Sequence, residues 1–209
     1  MNDDNLIERY HPADRANHWL TAITFILLAA SGLALFHPAF FFLSHLFGGG
    51  PWMRILHPFI GVVMAVSFYF LAHRFFADNL MTPGDWAWVR GLRYVITNQD
   101  EKLPEVGRFN GGQKLLFWVM IATMLLLLLS GFVIWQPWFA PYFPIQLIRV
   151  AVVIHALSAF ALMLGIIVHI YAAYWVRGTI RGMTRGTVPR AWAKHHHPGW
   201  YRQVTKGMK

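Results

Sequence analysis

Four stretches nearly devoid of polar residues, 18–36, 55–74, 113–135 and 149–176, alternate with polar segments along the chain. Each is at least about 18 residues long, enough for an α-helix to cross a ~30 Å hydrocarbon core. The pattern predicts an all-α integral membrane protein, a four-transmembrane-helix bundle forming a single domain over residues 1–209. Four spans leave both ends of the chain on one side. Between them, the arm 1–17 is polar, and Gly48-Gly49-Gly50-Pro51 reads as a flexible stop before the second span, which His57-Pro58 opens with its proline in the first turn. The loop 75–112 is too long for a plain connection, and residues 85–96 mix aromatic, aliphatic and basic positions as an interfacial helix does. Trp138, Tyr142, Phe143 and three prolines between Gln136 and Gln146 read as an interfacial aromatic belt. The tail 177–209 reads as a solvated, partner-contacting segment, and no internal repeat is apparent.

Composition agrees with the pattern: 56% of the 209 residues are hydrophobic and 13% charged. The first span is not a cleavable leader, because it is long, opens on His18 and lacks a small-residue cleavage site. Charge adds an orientation. Lysine and arginine concentrate in the N-terminal arm, in the loop after span two and beyond Arg177, while the other two loops have only Arg54 and Arg149 at their ends. By the positive-inside rule both termini and the middle loop are cytoplasmic, in a multi-pass membrane protein. The net charge of +9 then reports topology and attraction to membrane lipid, with no nucleic acid needed to explain it. Cysteine is absent, which excludes disulfides, thiolate-held iron–sulfur clusters and covalent C-x-x-C-H haem within this chain.

Histidines supply the candidate chemistry. His155 and His169 are fourteen residues apart in span four, ~3.9 helical turns and ~21 Å, so both leave one face at opposite membrane depths. Ionisable groups inside a membrane are expensive and mark functional sites. Topology gives each a partner at its own depth, His57 with His155 on the periplasmic side and His18 with His169 on the cytoplasmic side. Each pair matches axial ligation of a haem by two imidazoles, a carrier of electrons with no open coordination position. The other ring nitrogen of each ligand is expected to meet a backbone carbonyl one turn earlier. Gly32, Gly61 and Gly165 lie where a macrocycle would approach a helix, and Arg15 and Arg54 are candidate propionate partners. His73, sixteen residues after His57, falls on the opposite face. The run His195-His196-His197 is a weak metal motif, since consecutive residues do not converge on one ion. Span three has no histidine and no charge after Lys114, and reads as a packing element.

On the cytoplasmic side Asn110, Gly112 and Gln113 form a polar corner whose amides suit the carbonyl oxygens of a quinone. The same Asn-Gly-Gly segment also reads as a plain turn and helix start. A different class of function, a proton-relaying transporter or scaffold, uses the same histidines without haem.

At these residues the sequence resembles, over essentially its full length, the cytochrome b (gamma) subunit of respiratory formate dehydrogenase. The matching stretches are Arg15-Ala16-Asn17-His18-Trp19, Arg54 to Gly61 around His57-Pro58, Phe109 to Lys114, Ile154-His155-Ala156, Val168 to Gly178, and Trp192 to Arg202. The resemblance implies two haem b groups on the same four histidines, with iron bound by His57 and His155 and by His18 and His169. It also implies menaquinone reduced beside Asn110, Gly112, Gln113 and His169. Phe109 and Gly111 depart from the tyrosine and alanine of the family pattern, which leaves the choice of quinone open. It further implies an iron–sulfur (beta) subunit, a molybdenum- or tungsten-containing catalytic (alpha) subunit that oxidises formate, and a trimer of heterotrimers. The chain itself is then an electron-transfer and quinone-reducing subunit. The cytochrome of another periplasmic oxidoreductase, such as an uptake hydrogenase, shares the design.

Overall fold

In a computed structural model, residues 5–97 and 99–206 are described; the outermost ends of the predicted arm and tail, 1–4 and 207–209, lie outside them. The helices are α1 (Pro12–Phe36), α2 (Gly50–Phe75), α3 (Pro83–Arg90), α4 (Leu92–Ile96), α5 (Gly111–Ile134), α6 (Ile145–Trp175), α7 (Thr179–Arg185), α8 (Arg190–His196) and α9 (Pro198–Lys206), with strands β1 (Leu6–Glu8) and β2 (Thr187–Pro189). Four of them, α1, α2, α5 and α6, are long and apolar enough to cross a membrane.

Each long helix starts before its apolar run. Pro12 presets the first turn of α1, where Asp14 complements the positive end of the helix. Pro58, read as an opening residue, is instead interior to α2, because that helix begins at Gly50; it removes one backbone donor from the ladder. The preceding segment is no flexible stop. Pro38–Phe47 is a 3-10 helix closed by Gly48 and Gly49 at φ 84° and 101°, a left-handed backbone suited to glycine. The interfacial helix expected over 85–96 divides at Gly91 into α3 and α4.

By its contacts the chain divides into two compact units. The central unit comprises Ala16–Ala72 and Val119–Ile167. In it the four long helices pack as a bundle: Met64 of α2, Met124 of α5 and Leu162 of α6 are buried together, with Phe25 and Leu28 of α1 against them. A second cluster joins Ala34, Phe47 and Met53. Large apolar side chains cover the outside, Ile26 being 63% and Leu157 65% exposed. Such a surface suits hydrocarbon, where backbone groups must be satisfied within each helix.

The other unit comprises Met1–Arg15, His73–Trp118 and Val168–Lys209. Its tail, expected to be solvated, is folded. β1 pairs antiparallel with β2 in the register Leu6↔Pro189, Ile7↔Val188 and Glu8↔Thr187. Ile7, Val188, Ala193 and Trp200 form a buried core. Arg9, 4% exposed, lies with its guanidinium 4.3 Å from the centre of the Trp200 ring and donates to the Arg108 carbonyl, while Arg108 donates back to the Arg9 carbonyl at 3.0 Å. Stacking on Trp200 and the exchange of hydrogen bonds with Arg108 work against the desolvation that burial imposes on Arg9 and that lowers its pKa.

His197 closes this clasp, with Nδ1 3.0 Å from the Gly107 carbonyl. Burial, aided by the charge of Arg9, pushes its pKa down from 6.5 to about 3. The unfolded segment therefore binds the proton first. Stability from this group is complete above pH 6.5 and falls as pH drops toward 3, by at most about 1.4 kcal/mol per pH unit. Limited proteolysis of the tail should accelerate between about pH 7.5 and about pH 5, and His197→Gln should flatten that dependence.

Candidate cofactor site

Two of the predicted histidines meet within the central unit. α2 carries His57 and α6 carries His155, and their ring centres are 6.3 Å apart with planes inclined at 62°. Both rings are half-buried. The Nδ1 atom of His57 is 2.7 Å from the Ser31 hydroxyl on α1, and that of His155 is 3.0 Å from the Ser130 hydroxyl on α5. The expected carbonyl one turn earlier is thus replaced by a hydroxyl on a neighbouring helix.

Beside each serine stands a glycine. A Cβ on Gly32 would lie 3.7 Å from His57 Cε1, and one on Gly131 would lie 3.3 Å from His155 Cε1. A Cβ at 32 would sit in ordinary contact with His57, whereas one at 131 would ask the His155 ring to yield; Gly61 faces Leu28. The arrangement occurs twice: Ser31-Gly32 precedes His57 by 26 residues from the serine, and Ser130-Gly131 precedes His155 by 25. This is an internal repeat that the sequence reading missed, and it makes span three more than packing. The recurring Ser-Gly pair at matched depth was the available signal.

The pair fits a haem iron. Two metal–imidazole bonds of roughly 2.0–2.1 Å, in line, take up about 4 Å of the separation. The remaining ~2 Å equals one ring radius on each side, and two neutral imidazoles suit iron held without thiolate.

His18 belongs to the central unit and His169 to the other. His18 is half-buried and His169 exposed. A polar knot flanks His18: Asn17 Nδ2 donates to the Ser67 carbonyl at 3.0 Å, the Ser67 hydroxyl donates to Asn17 Oδ1 at 2.5 Å, and the Thr21 and Ser67 hydroxyls lie 2.7 Å apart. These bonds fix α1 against α2 on both sides of the histidine. Two of the remaining histidines have local partners. His11 pairs with Glu8 at 3.0 Å, and His37 accepts from the Ala39 amide at 3.2 Å. Among the described residues no cluster of three or more His, Asp or Glu side chains could hold a metal ion. Arg15 donates to the Thr184 carbonyl at 2.8 Å, and Arg54 is exposed.

Asn110, Gly112 and Gln113 come together at the start of α5. The Asn110 side-chain oxygen accepts from the Gln113 amide at 2.8 Å, and the Gln113 side-chain oxygen accepts from the Asn110 amide at 2.9 Å, a reciprocal cap. The capping uses both oxygens and leaves both side-chain NH2 groups out of it. α3 is pressed close: a Cβ on Gly112 would lie 2.8 Å from the Trp88 ring, and one on Gly111 would collide with the Asp85 carbonyl. Lys114 Nζ meets Asp85 Oδ2 at 2.8 Å and donates to the Leu80 carbonyl at 3.0 Å. Burial works to raise the Asp85 pKa, but hydrogen bonds from Lys114 and Thr82 outweigh it and hold the carboxyl below its usual range.

The model of the family described as prokaryotic cytochrome b561 matches residues 9–186. This chain belongs to that family of membrane cytochromes, which implies haem b. Within it, the chain is similar to cytochrome b556 subunits of formate dehydrogenase. It is 47% identical to the "Formate dehydrogenase, cytochrome b556(fdo) subunit" of Escherichia coli (strain K12) over 206 residues, 99% of this chain and 97% of the relative. Identity to the nitrate-inducible b556(Fdn) subunit of the same strain is 40% over 206 residues, covering 99% and 95%. A cytochrome b556 subunit from Haemophilus influenzae is 39% identical over 202 residues, covering 97% and 84%. With its four apolar helices the chain is a multi-pass bacterial inner-membrane protein of electron transport.

Space beside the rings gives a direct check. Gly131→Ala asks His155 to yield by a few tenths of an ångström, whereas Gly131→Val displaces the ring. The valine variant should bind markedly less haem b per chain than the alanine variant, read from the reduced-minus-oxidised spectrum.

Proposed function

We propose that this chain is the membrane cytochrome b subunit of a formate dehydrogenase, carrying electrons through two b haems to a quinone. The observation that carries the reading is the His57–His155 pair, two imidazoles at the separation of axial ligands with their other nitrogens already bonded. His18 and His169 would hold the second haem, fourteen residues along α6 separating His169 from His155, a helix rise of ~21 Å. When bound, haem would supply one-electron transfer, held by these histidines.

The residues of the chain do the rest. The arginine and lysine distribution supports cytoplasmic termini, so His57 and His155 stand on the periplasmic side and receive electrons first. The relatives are named as formate dehydrogenase subunits, which supports a periplasmic iron–sulfur (beta) subunit as donor. Behind it stands a molybdenum- or tungsten-containing catalytic (alpha) subunit, assembled as a trimer of heterotrimers. At the cytoplasmic end the side-chain NH2 groups of Asn110 and Gln113 offer hydrogen bonds to the carbonyl oxygens of menaquinone or a related quinone, with His169 alongside. Gly112 holds the cap against Trp88. Taking up protons on that side while electrons arrive from the other separates charge across the membrane.

Single substitutions test the assignment. His155→Ala should cost one haem and His169→Ala the other, by haem count and low-temperature α-band spectra. A variant of either histidine with two unchanged haems overturns the pairing. Asn110→Ala or Gln113→Ala should weaken binding of a quinone-site inhibitor by about tenfold, the worth of one ordinary hydrogen bond.

A further inference from the structure

Ser31 and Ser130 take no part in the path described above, yet each is buried, 0% and 5% exposed, and each aims its hydroxyl at one imidazole. A serine has one hydrogen to donate. That of Ser31 turns to the Leu27 carbonyl at 2.9 Å, and that of Ser130 to the Leu126 carbonyl at 2.5 Å. The lone pairs left over can only accept, and the proton they meet is Nδ1–H. The tautomer so selected has its own lone pair on Nε2, the nitrogen left to face a metal.

We propose that Ser31 and Ser130 are positioning residues that fix the tautomer, orientation and donor strength of His57 and His155, and so set the reduction potential of the haem between them. The proposal rests on the reading of these histidines as an axial pair. An imidazole whose N–H is donated is a more basic ligand and favours ferric over ferrous iron. Removing the acceptor raises the potential. The two sides are unequal. His57 has the shorter bond, 2.7 Å against 3.0 Å. Ser31 therefore has the greater influence.

The test is a potentiometric titration, with the low-spin ferric EPR signal, of the intact complex purified from native membranes. Ser31→Ala is expected to keep both haems and raise one midpoint by as much as about tenfold in the ferrous-to-ferric ratio, ~59 mV for one electron, leaving the other haem unmoved. Ser31→Thr, which keeps the hydroxyl, should restore the wild-type value, and Ser130→Ala should move the same haem less. Unchanged midpoints in Ser31→Ala overturn the proposal. So does an equal shift in Ser31→Thr, which would assign the effect to packing. Should Ser31→Ala fail to retain haem, Ser31→Cys keeps a weak acceptor, and a haem held there at the wild-type potential counts against the proposal. A His57→Ala complex that still holds two bis-imidazole haems identifies the ligand reading as the step that failed, and the serine proposal falls with it.

Discussion

An imidazole inside a membrane helix has an N–H that must be donated and a lone pair that must be used, and no water nearby for either. This chain meets the first demand for His57 and His155 with hydroxyls from the next helices, Ser31 and Ser130. The hydroxyls are themselves tied to their own helix carbonyls. That tie is what turns an ambiguous donor–acceptor into an acceptor alone. Interior polar groups are tolerated when every partner is satisfied, and a small serine does this with little added bulk. Keeping the His155 ring in reach of Ser130 also asks for glycine at 131, where a Cβ would press on the ring.

The same economy of small residues governs the start of α5, though with backbone rather than side chain as the object. Gly111 and Gly112 let α3 approach until Asp85 and Trp88 touch the first turn, and the Lys114–Asp85 pair fastens the contact. The cap made by Asn110 and Gln113 is thereby held rigid. With both side-chain oxygens engaged in the cap, the NH2 groups of Asn110 and Gln113 stay out of it.

How much of this could be read from residues alone depended on the kind of interaction. Spans were legible, since apolar length is a property of the sequence, but their starts at Pro12, Gly50 and Ile145 lie in polar or capping residues outside the apolar runs. His57 and His155 stood out by rarity. Ser31 and Ser130 did not, because serine in a membrane helix looks like any small packing residue until its neighbour across the helix is known. Asn110 and Gln113 stood out by polarity, which gave no sign that they cap each other. The tail misled most. Its charge density suggested solvation, and only the stacking of Arg9 on Trp200, far away in sequence, shows why a basic segment folds.

That last contact bears on the order in which the molecule takes shape. β1 emerges before any span is made and β2 only after the fourth, yet Ile7 pairs with Val188. A loop holding all four membrane helices must close before the two strands can meet, and such long-range pairing forms late. Through synthesis and insertion, then, the apolar face of β1 and the aromatic surfaces that Arg9 will cover wait uncapped. Closure of the two-stranded sheet marks the moment at which a complete set of spans has been delivered, so a chain arrested or cut short before Val188 is distinguishable by its open arm.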